Sequence, residues 1–298
     1  EHFLDLPVST VISTSQVAKD FATKTEDGEY LMFGAEKRWI PQIGITKVTV
    51  PLLLETEMVE ALHQRSFEHH RMRFKHRDTW RISTTTIQKE AEIAWTSSPA
   101  ALRSVVQQTI DDSYKVKFIL SDERRREMLQ PVLERLTGMS AQDDAKLMQL
   151  VSFLRKFKAD GRKVILFTER LSTAIYLEEA LQTEAPEIVV ANTVAQTPDG
   201  PALKDFEPDV LQMIKGFAPL ANAEKIGSRE KLIAYDLFIS TDAYSTGVNL
   251  QDASVVINYD LAWTPDVIIQ RAGRILRFWP SPRRVDFIVF LGDFKDQA

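Results

Sequence analysis

Gln270, Arg271, Arg274 and Arg277 are the residues whose types and spacing most clearly set up chemistry in this sequence. Thr264 and Pro265 open a helix ahead of them, with proline at the first position, where its missing N–H costs nothing. On a continuous helix, arginines three apart share one face within about a turn of each other. Asp266, at the start, is the only acid on that helix and sits where the macrodipole favours it. A guanidinium presents a planar fork that matches phosphate oxygens, so arginines paired in this way suit a polyphosphate. A solvated basic face is the competing reading. The setting favours the first. Residues 237–239 and 254–259 are short apolar runs bounded by turn signals, the pattern of strands buried on both faces. Asp242 and Asp260 stand at their ends, and between the runs lies a loop, residues 243–251, centred on Gly247. The carboxyl ends of such strands are where open parallel sheets bind ligands.

Residues 65–81 form a second cluster. Arg65, Arg71, Arg73, Lys75, Arg77 and Arg81 face only Glu68 and Asp78, with Phe67, Phe74 and Trp80 interleaved. Two readings stay open. The stretch is a solvated helical face, or it contacts a nucleic-acid backbone through Arg71, Arg73, Lys75 and Arg77, with aromatics free to stack on bases. Histidines 63, 69, 70 and 76 do not read as a metal site: His69 and His76 miss the i, i+4 spacing and no carboxylate completes a ligand set. No metal is expected to be held by this chain.

The elements that must position these residues follow from composition and pattern. The 298 residues are 44% hydrophobic and 27% charged, enough apolar content for a real core and length for one large or two smaller domains. A net charge of -5 means that any nucleic-acid contact must come from a local patch. There is no cysteine, which excludes disulfides and Cys-ligated zinc and fits a reducing compartment. No apolar run approaches the ~20 residues of a membrane helix, and no secretory signal is visible. The sequence opens on Glu1 rather than Met and reads as a piece of something longer.

Residues 45–50 alternate as a half-buried strand should, and a helical pattern follows from 55 to about 74. Residues 87–96 and 99–110 read as helices, the second opened by Ser98-Pro99. Residues 122–136 read as a helix that Pro131 breaks or kinks. Ser140 and Asp143 form a capping-box pattern ahead of Leu147, Leu150, Val151, Leu154 and Phe157 at helical spacing, closed by Gly161. Residues 164–167 are a buried strand ending in Thr168, and 188–191 another. Residues 193–209 hold three prolines and a glycine and read as an inserted loop, with a helix near 210–217 and a last strand over 284–290. Strands alternating with helices mean a parallel sheet with right-handed crossovers.

Asp242-x-x-x-x-Gly247-x-Asn249-Leu250, followed by Gln270-x-x-Gly273-Arg274-x-x-Arg277, resembles motifs V and VI of superfamily 2 helicases. The linking VINYDLAWTP is most similar to Swi/Snf-type DNA translocases and their bacterial relatives, and the strand ending at Thr168 resembles motif IV. The resemblance implies a RecA-like three-layer α/β lobe over 140–298 with helices on both faces. Ahead of it would stand a mostly helical, partly basic subdomain over 51–139, and over 1–50 a linker or remnant of a first motor lobe. It makes Arg274 and Arg277 arginine fingers for the ATP γ-phosphate. Gln270, Gly273, Asp242, Gly247 and Asn249 would serve nucleotide binding and its coupling, and Thr168 and Thr241 the nucleic-acid track. The sequence departs from the family at Tyr244-Ser245-Thr246, where paired glycines are common, and at Phe278-Trp279-Pro280, where Ile-Gly-Gln is frequent.

A complete motor also needs G-x-x-x-x-G-K-[ST] and an acidic pair for magnesium. Neither is found, so the Mg2+ of an ATP complex would be held by a first lobe absent from this chain. The resulting expectation is the C-terminal lobe of an ATP-dependent DNA translocase or helicase, inactive alone. It would be monomeric, partnered by duplex DNA and the first lobe, away from membranes, in a cytoplasmic (bacterial cytoplasm or nucleoid) setting. A degenerate binding module and an RNA helicase lobe are the alternatives.

Overall fold

The computed structural model describes residues 21–51, 62, 67, 86–114, 116, 118–205, 209–227, 231–241, 248–261 and 264–293. The chain divides into two compact units: Glu1–Thr49 with Leu150–Leu291, and Val50–Gln149 with Gly292–Ala298.

Strands β1 (Thr23–Thr25), β2 (Gly28–Phe33) and β3 (Glu36–Trp39) make an antiparallel sheet. Its first turn needs Gly28, whose φ of 134° is closed to most side chains. Strand β4 (Gln42–Pro51) follows, longer than the alternation of residues 45–50 foretells.

In the helical unit, α1 (Thr86–Ser97), α2 (Pro99–Ile110) and α3 (Asp122–Gly138) bury a shared core. Ser98 caps α2 as its sequence predicts, accepting from the Ala101 N–H at 3.1 Å. Leu102, Val105 and Val106 share the core with Leu129, Val132 and Leu136 at helical spacing. Helix α3 does not break at Pro131 but runs on to Gly138. Pro131 and Glu127 are both exposed, so the carbonyl that loses its helical donor lies where water can reach it. The box at Ser140 and Asp143 forms, although around a single 3-10 turn. Asp144 begins the helix proper, α4 (Ala145–Ala159), its Oδ1 accepting from the N–H groups of Lys146 and Leu147.

The rest of the chain in order is β5 (Val164–Phe167), α5 (Leu171–Glu184), β6 (Val190–Asn192), β7 (Val194–Thr197), β8 (Gly200–Leu203), α6 (Leu211–Phe217), β9 (Leu237–Ser240), β10 (Val255–Asn258), α7 (Pro265–Ala272) and β11 (Arg284–Asp293). Six strands form one sheet in the order β4-β11-β10-β5-β9-β6, and the pairs from β11 through to β6 are parallel. Every residue of β5, β9 and β10 is buried, which is why these segments read as unbroken apolar runs. One face, with Ile165, Phe167, Phe238 and Val256, packs against Ile214 and Phe217 of α6 and Ala272 of α7. On the other face Phe153 of α4 meets Phe290, and the Asn192 amide donates to the Ala174 carbonyl of α5. The lobe is thus an α/β three-layer structure of RecA-like type. The stretch read as an inserted loop holds the β7–β8 hairpin, turned at Gly200 with φ 109°.

At the amino ends of the strands a charged network ties three of them. Arg162 pairs with Asp286 at 2.7 Å and donates to the Ser254 hydroxyl and carbonyl at 2.9 Å. Arg284 approaches the other Asp286 oxygen at 2.7 Å. Burial alone would raise the Asp286 pKa, but the bonds from Arg284 and Arg162 outweigh it and hold the group below its usual value. Gly44 of β4 lies against this network: an added Cβ would fall 2.1 Å from Asp286 Oδ1. Gly44→Ala should therefore destabilise the protein by about 1–3 kcal/mol in urea unfolding, because the Asp286 pair must shift. The lowered pKa means that the Asp286 contribution is full above the ordinary value of 3.8 and is lost as pH falls through the folded value. The gap between wild type and variant should accordingly narrow in acid; an unchanged gap would place the damage elsewhere.

Candidate functional site

The carboxyl edge of the sheet collects polar side chains that are buried although they follow apolar strands. Thr168 after β5, Ser240 and Thr241 at the end of β9, and Asn258 and Asp260 at the end of β10 are all under a tenth exposed. Asp260 joins two of these ends. Its Oδ2 accepts from the Thr168 hydroxyl at 2.5 Å and from the Glu169 N–H at 2.9 Å, charge-assisted bonds of the stronger kind. The Thr168 backbone N–H in turn donates to the Ser240 carbonyl at 3.1 Å, which ties in β9. The Thr241 hydroxyl and the Asn258 amide nitrogen are buried without a partner among the described residues.

The four motif residues that follow β10 do not all behave as the spacing implies. Helix α7 ends at Ala272, so it carries Gln270 and Arg271 but neither Arg274 nor Arg277. Past Gly273 the backbone tightens. The Arg274 N–H bonds the Arg271 carbonyl at 3.2 Å, Ile275 bonds Ala272 at 3.1 Å, and Arg277 bonds Ile275 at 2.8 Å. The single face expected for Arg271, Arg274 and Arg277 therefore does not exist. Arg271 is wholly buried, donating to Asn258 Oδ1 at 2.9 Å with its guanidinium 5.1 Å from the Phe167 ring centre. It holds α7 to the sheet.

Arg274 and Arg277 remain as an outward pair. Arg274 is half-buried, its Nε donating to the Gln270 carbonyl at 3.3 Å, and Arg277 is exposed. Burial lowers the Arg274 pKa, and the nearby Arg277 charge lowers it further. Neither has a carboxylate partner within 4 Å among the described residues. Two guanidiniums close enough to repel, with no acid between them among the described residues, have the donor chemistry to take an anion with several oxygens. Gln270 contributes its carbonyl here, and its side chain is exposed. Gly273 has only ordinary contacts awaiting a Cβ, the nearest being the Gln270 carbonyl at 3.4 Å, so internal packing does not demand glycine there.

Asn249 is exposed, and its carbonyl accepts from the buried Asn222 amide at 2.9 Å. Asp242 and Gly247 lie outside the described residues, as do Arg71, Arg73, Lys75 and Arg77 and the neighbouring histidines 63, 69, 70 and 76. Among the described residues no group of three or more His, Cys, Asp or Glu could hold a metal, and no helix is long and apolar enough to cross a membrane. Sequence reasoning assigned no role to Asp260, Asn258 or Arg283. Asp260 had a signal, since it ends an apolar run just as Asp242 does. Arg283 had none.

Residues 222–278 match the helicase conserved C-terminal domain. The chain is 27% identical over 196 residues to the uncharacterized ATP-dependent helicase YqhH of Bacillus subtilis (strain 168), covering 66% of this chain and 28% of that one. It is 26% identical over 153 residues to Protein CHROMATIN REMODELING 4 of Arabidopsis thaliana, covering 51% of this chain and 6% of the other. The C-terminal part of the Fun30 ATPase domain aligns in structure at a TM-score of 0.49 and 15% identity, covering 85% of this chain and 86% of that one. Residues 222–278 run through the loop after β9, β10, α7 and the arginine pair, so the match falls on the site itself. Within the α/β lobe, residues 222–278 are thus similar to the C-terminal domain of helicases. The chain spans less than a third of the length of these curated relatives.

Thr168→Val tests whether the Asp260 knot holds the carboxyl edge together. Removing the buried hydroxyl should cost about 1–3 kcal/mol, because Asp260 Oδ2 loses a charge-assisted partner. Equilibrium unfolding at neutral pH gives the number; a change below a few tenths of a kcal/mol would mean that Asp260 is satisfied without Thr168.

Proposed function

We propose that this chain is the C-terminal lobe of an ATP-dependent, Swi/Snf-type DNA translocase or helicase, and that Arg274 and Arg277 act on the ATP γ-phosphate from across a cleft. The observation that carries the reading is the arginine pair, half-buried Arg274 and exposed Arg277, which has no acid partner among the described residues and follows the helix after β10. Support comes from the helicase C-terminal match over the same residues and from relatives described as an ATP-dependent helicase and a chromatin-remodelling protein. The phosphate loop and the Mg2+ ligands would belong to a first lobe. Thr168, Thr241 and residues 71–77 would face the nucleic acid.

The chemistry asked of the arginines is electrostatic. Charge spreads over the transferring phosphoryl oxygens in the transition state, so a fixed guanidinium stabilises that state more than bound ATP. The neighbouring acids that would otherwise neutralise the pair are missing among the described residues, which leaves its field for the substrate.

Steady-state ATP hydrolysis by the full-length protein tests this. Arg274→Ala or Arg277→Ala should slow turnover by about 10³–10⁵, with ADP affinity largely kept, and lysine should rescue neither. The chain by itself should not turn over ATP. Stimulation should be strongest with duplex DNA, weaker with single strands or RNA. Near-normal turnover in both alanine variants would overturn the assignment, and a preference for RNA would move the chain to the RNA helicases.

A further inference from the structure

Residues 278–280, where the sequence departs from the family pattern, and Arg283 beyond them are tied into the lobe by contacts on either side of Arg277. Trp279 forms an antiparallel bridge with Trp39: the Trp39 N–H donates to the Trp279 carbonyl at 2.8 Å, and the Trp279 N–H returns the bond at 3.0 Å. Trp39 ends the β1–β3 sheet, and its ring lies 5.1 Å from Tyr30 on the neighbouring strand. The Phe278 ring meets Phe33 of the same sheet at 5.6 Å. On the other side, Arg283 reaches back under the segment. Its guanidinium stacks 4.2 Å from the Trp279 ring centre, and it donates to the carbonyls of Gln251, at 2.5 Å, and Ile275. Ile275 is fully buried, and its carbonyl also accepts the Arg277 N–H at 2.8 Å.

Arg277 thus hangs between two fixed points. Ile275 is held by the core and by Arg283, Trp279 by the bridge and by the same guanidinium. Without these ties the backbone past Gly273 would be irregular chain, and an exposed arginine on it would sample many positions. Placement is what an arginine finger needs, since a displacement of about 1 Å at a catalytic group costs on the order of 10²-fold in rate.

We propose that Arg283 and the Trp39–Trp279 bridge are a positioning brace for Arg277, so that the β1–β3 sheet serves the catalytic step although it lies some 240 residues earlier in the sequence than the arginine (Trp39 to Arg277). The inference rests on the reading of Arg277 as a γ-phosphate contact. Burial pushes the Arg283 pKa down to about 10, with the Asp252 charge opposing, so the guanidinium stays charged and able to bridge carbonyls at neutral pH.

The test uses the full-length protein with saturating duplex DNA. Arg283→Gln should lower kcat by about 10–100-fold with the KM for ATP within about threefold, because placement and not binding is lost. Trp279→Ala, which removes the stacking surface but keeps the backbone bridge, should show a smaller loss of the same kind and carries the test if Arg283→Gln does not fold. The double variant Arg277→Ala/Arg283→Gln should be no slower than Arg277→Ala alone, since the brace acts only through Arg277. A purely structural role would lower the melting temperature and multiply the two defects. The brace is overturned if the defects multiply, or if Arg283→Gln and Trp279→Ala leave kcat unchanged while Arg277→Ala abolishes it. Near-normal turnover in Arg277→Ala would instead overturn the finger reading beneath it.

Discussion

A parallel sheet buried on both faces can place polar side chains only at its ends, and this lobe is organised around that constraint. β5, β9 and β10 are wholly buried, so their chemistry begins where each strand stops. The two ends are used differently. At the amino edge Arg162, Asp286 and Arg284 satisfy one another and fix the register of three neighbouring segments. At the carboxyl edge Asp260 gathers Thr168 and Glu169, while Thr241 and Asn258 keep buried polar atoms without partners among the described residues. A buried polar group left unmatched costs about 1–3 kcal/mol, so stability alone does not explain this edge.

The arginines show the same division. Arg271 is spent on structure: wholly buried, bonded to Asn258 and lying over Phe167, it fixes α7 to the sheet. Arg274 and Arg277 lie past the helix end, where the backbone tightens, and they form a repelling pair of which Arg277 is exposed. Holding like charges together is unfavourable, and an anion bound between them would relieve that term.

Much of this was legible in the sequence. Short unbroken apolar runs gave the central strands because such strands admit no polar face, and Ser98-Pro99 marked α2 because capping is local chemistry. The arginine motif marked the segment after β10, but three-residue spacing implied a common face only if the helix continued, and the helix ends at Ala272. Whether an arginine faces solvent or core depends on distant partners, here Asn258 and Phe167, that spacing does not encode. The alternation of residues 45–50 marked a strand without saying which sheet it would join. Trp39 and Trp279 meet through backbone bonds across most of the chain, and backbone pairing leaves little trace in residue type.

The central claim is that Arg277 serves the transition state of phosphoryl transfer more than it serves nucleotide binding. Equilibrium binding of ADP–aluminium fluoride, compared with ADP alone, measures this directly in the full-length protein with Mg2+ and duplex DNA present. The account predicts that wild type binds the analogue more tightly than ADP by about 10²-fold or more, as enzymes do with transition-state mimics. Arg277→Ala should lose most of that preference while its ADP affinity stays unchanged. A variant that keeps the full preference would contradict the account.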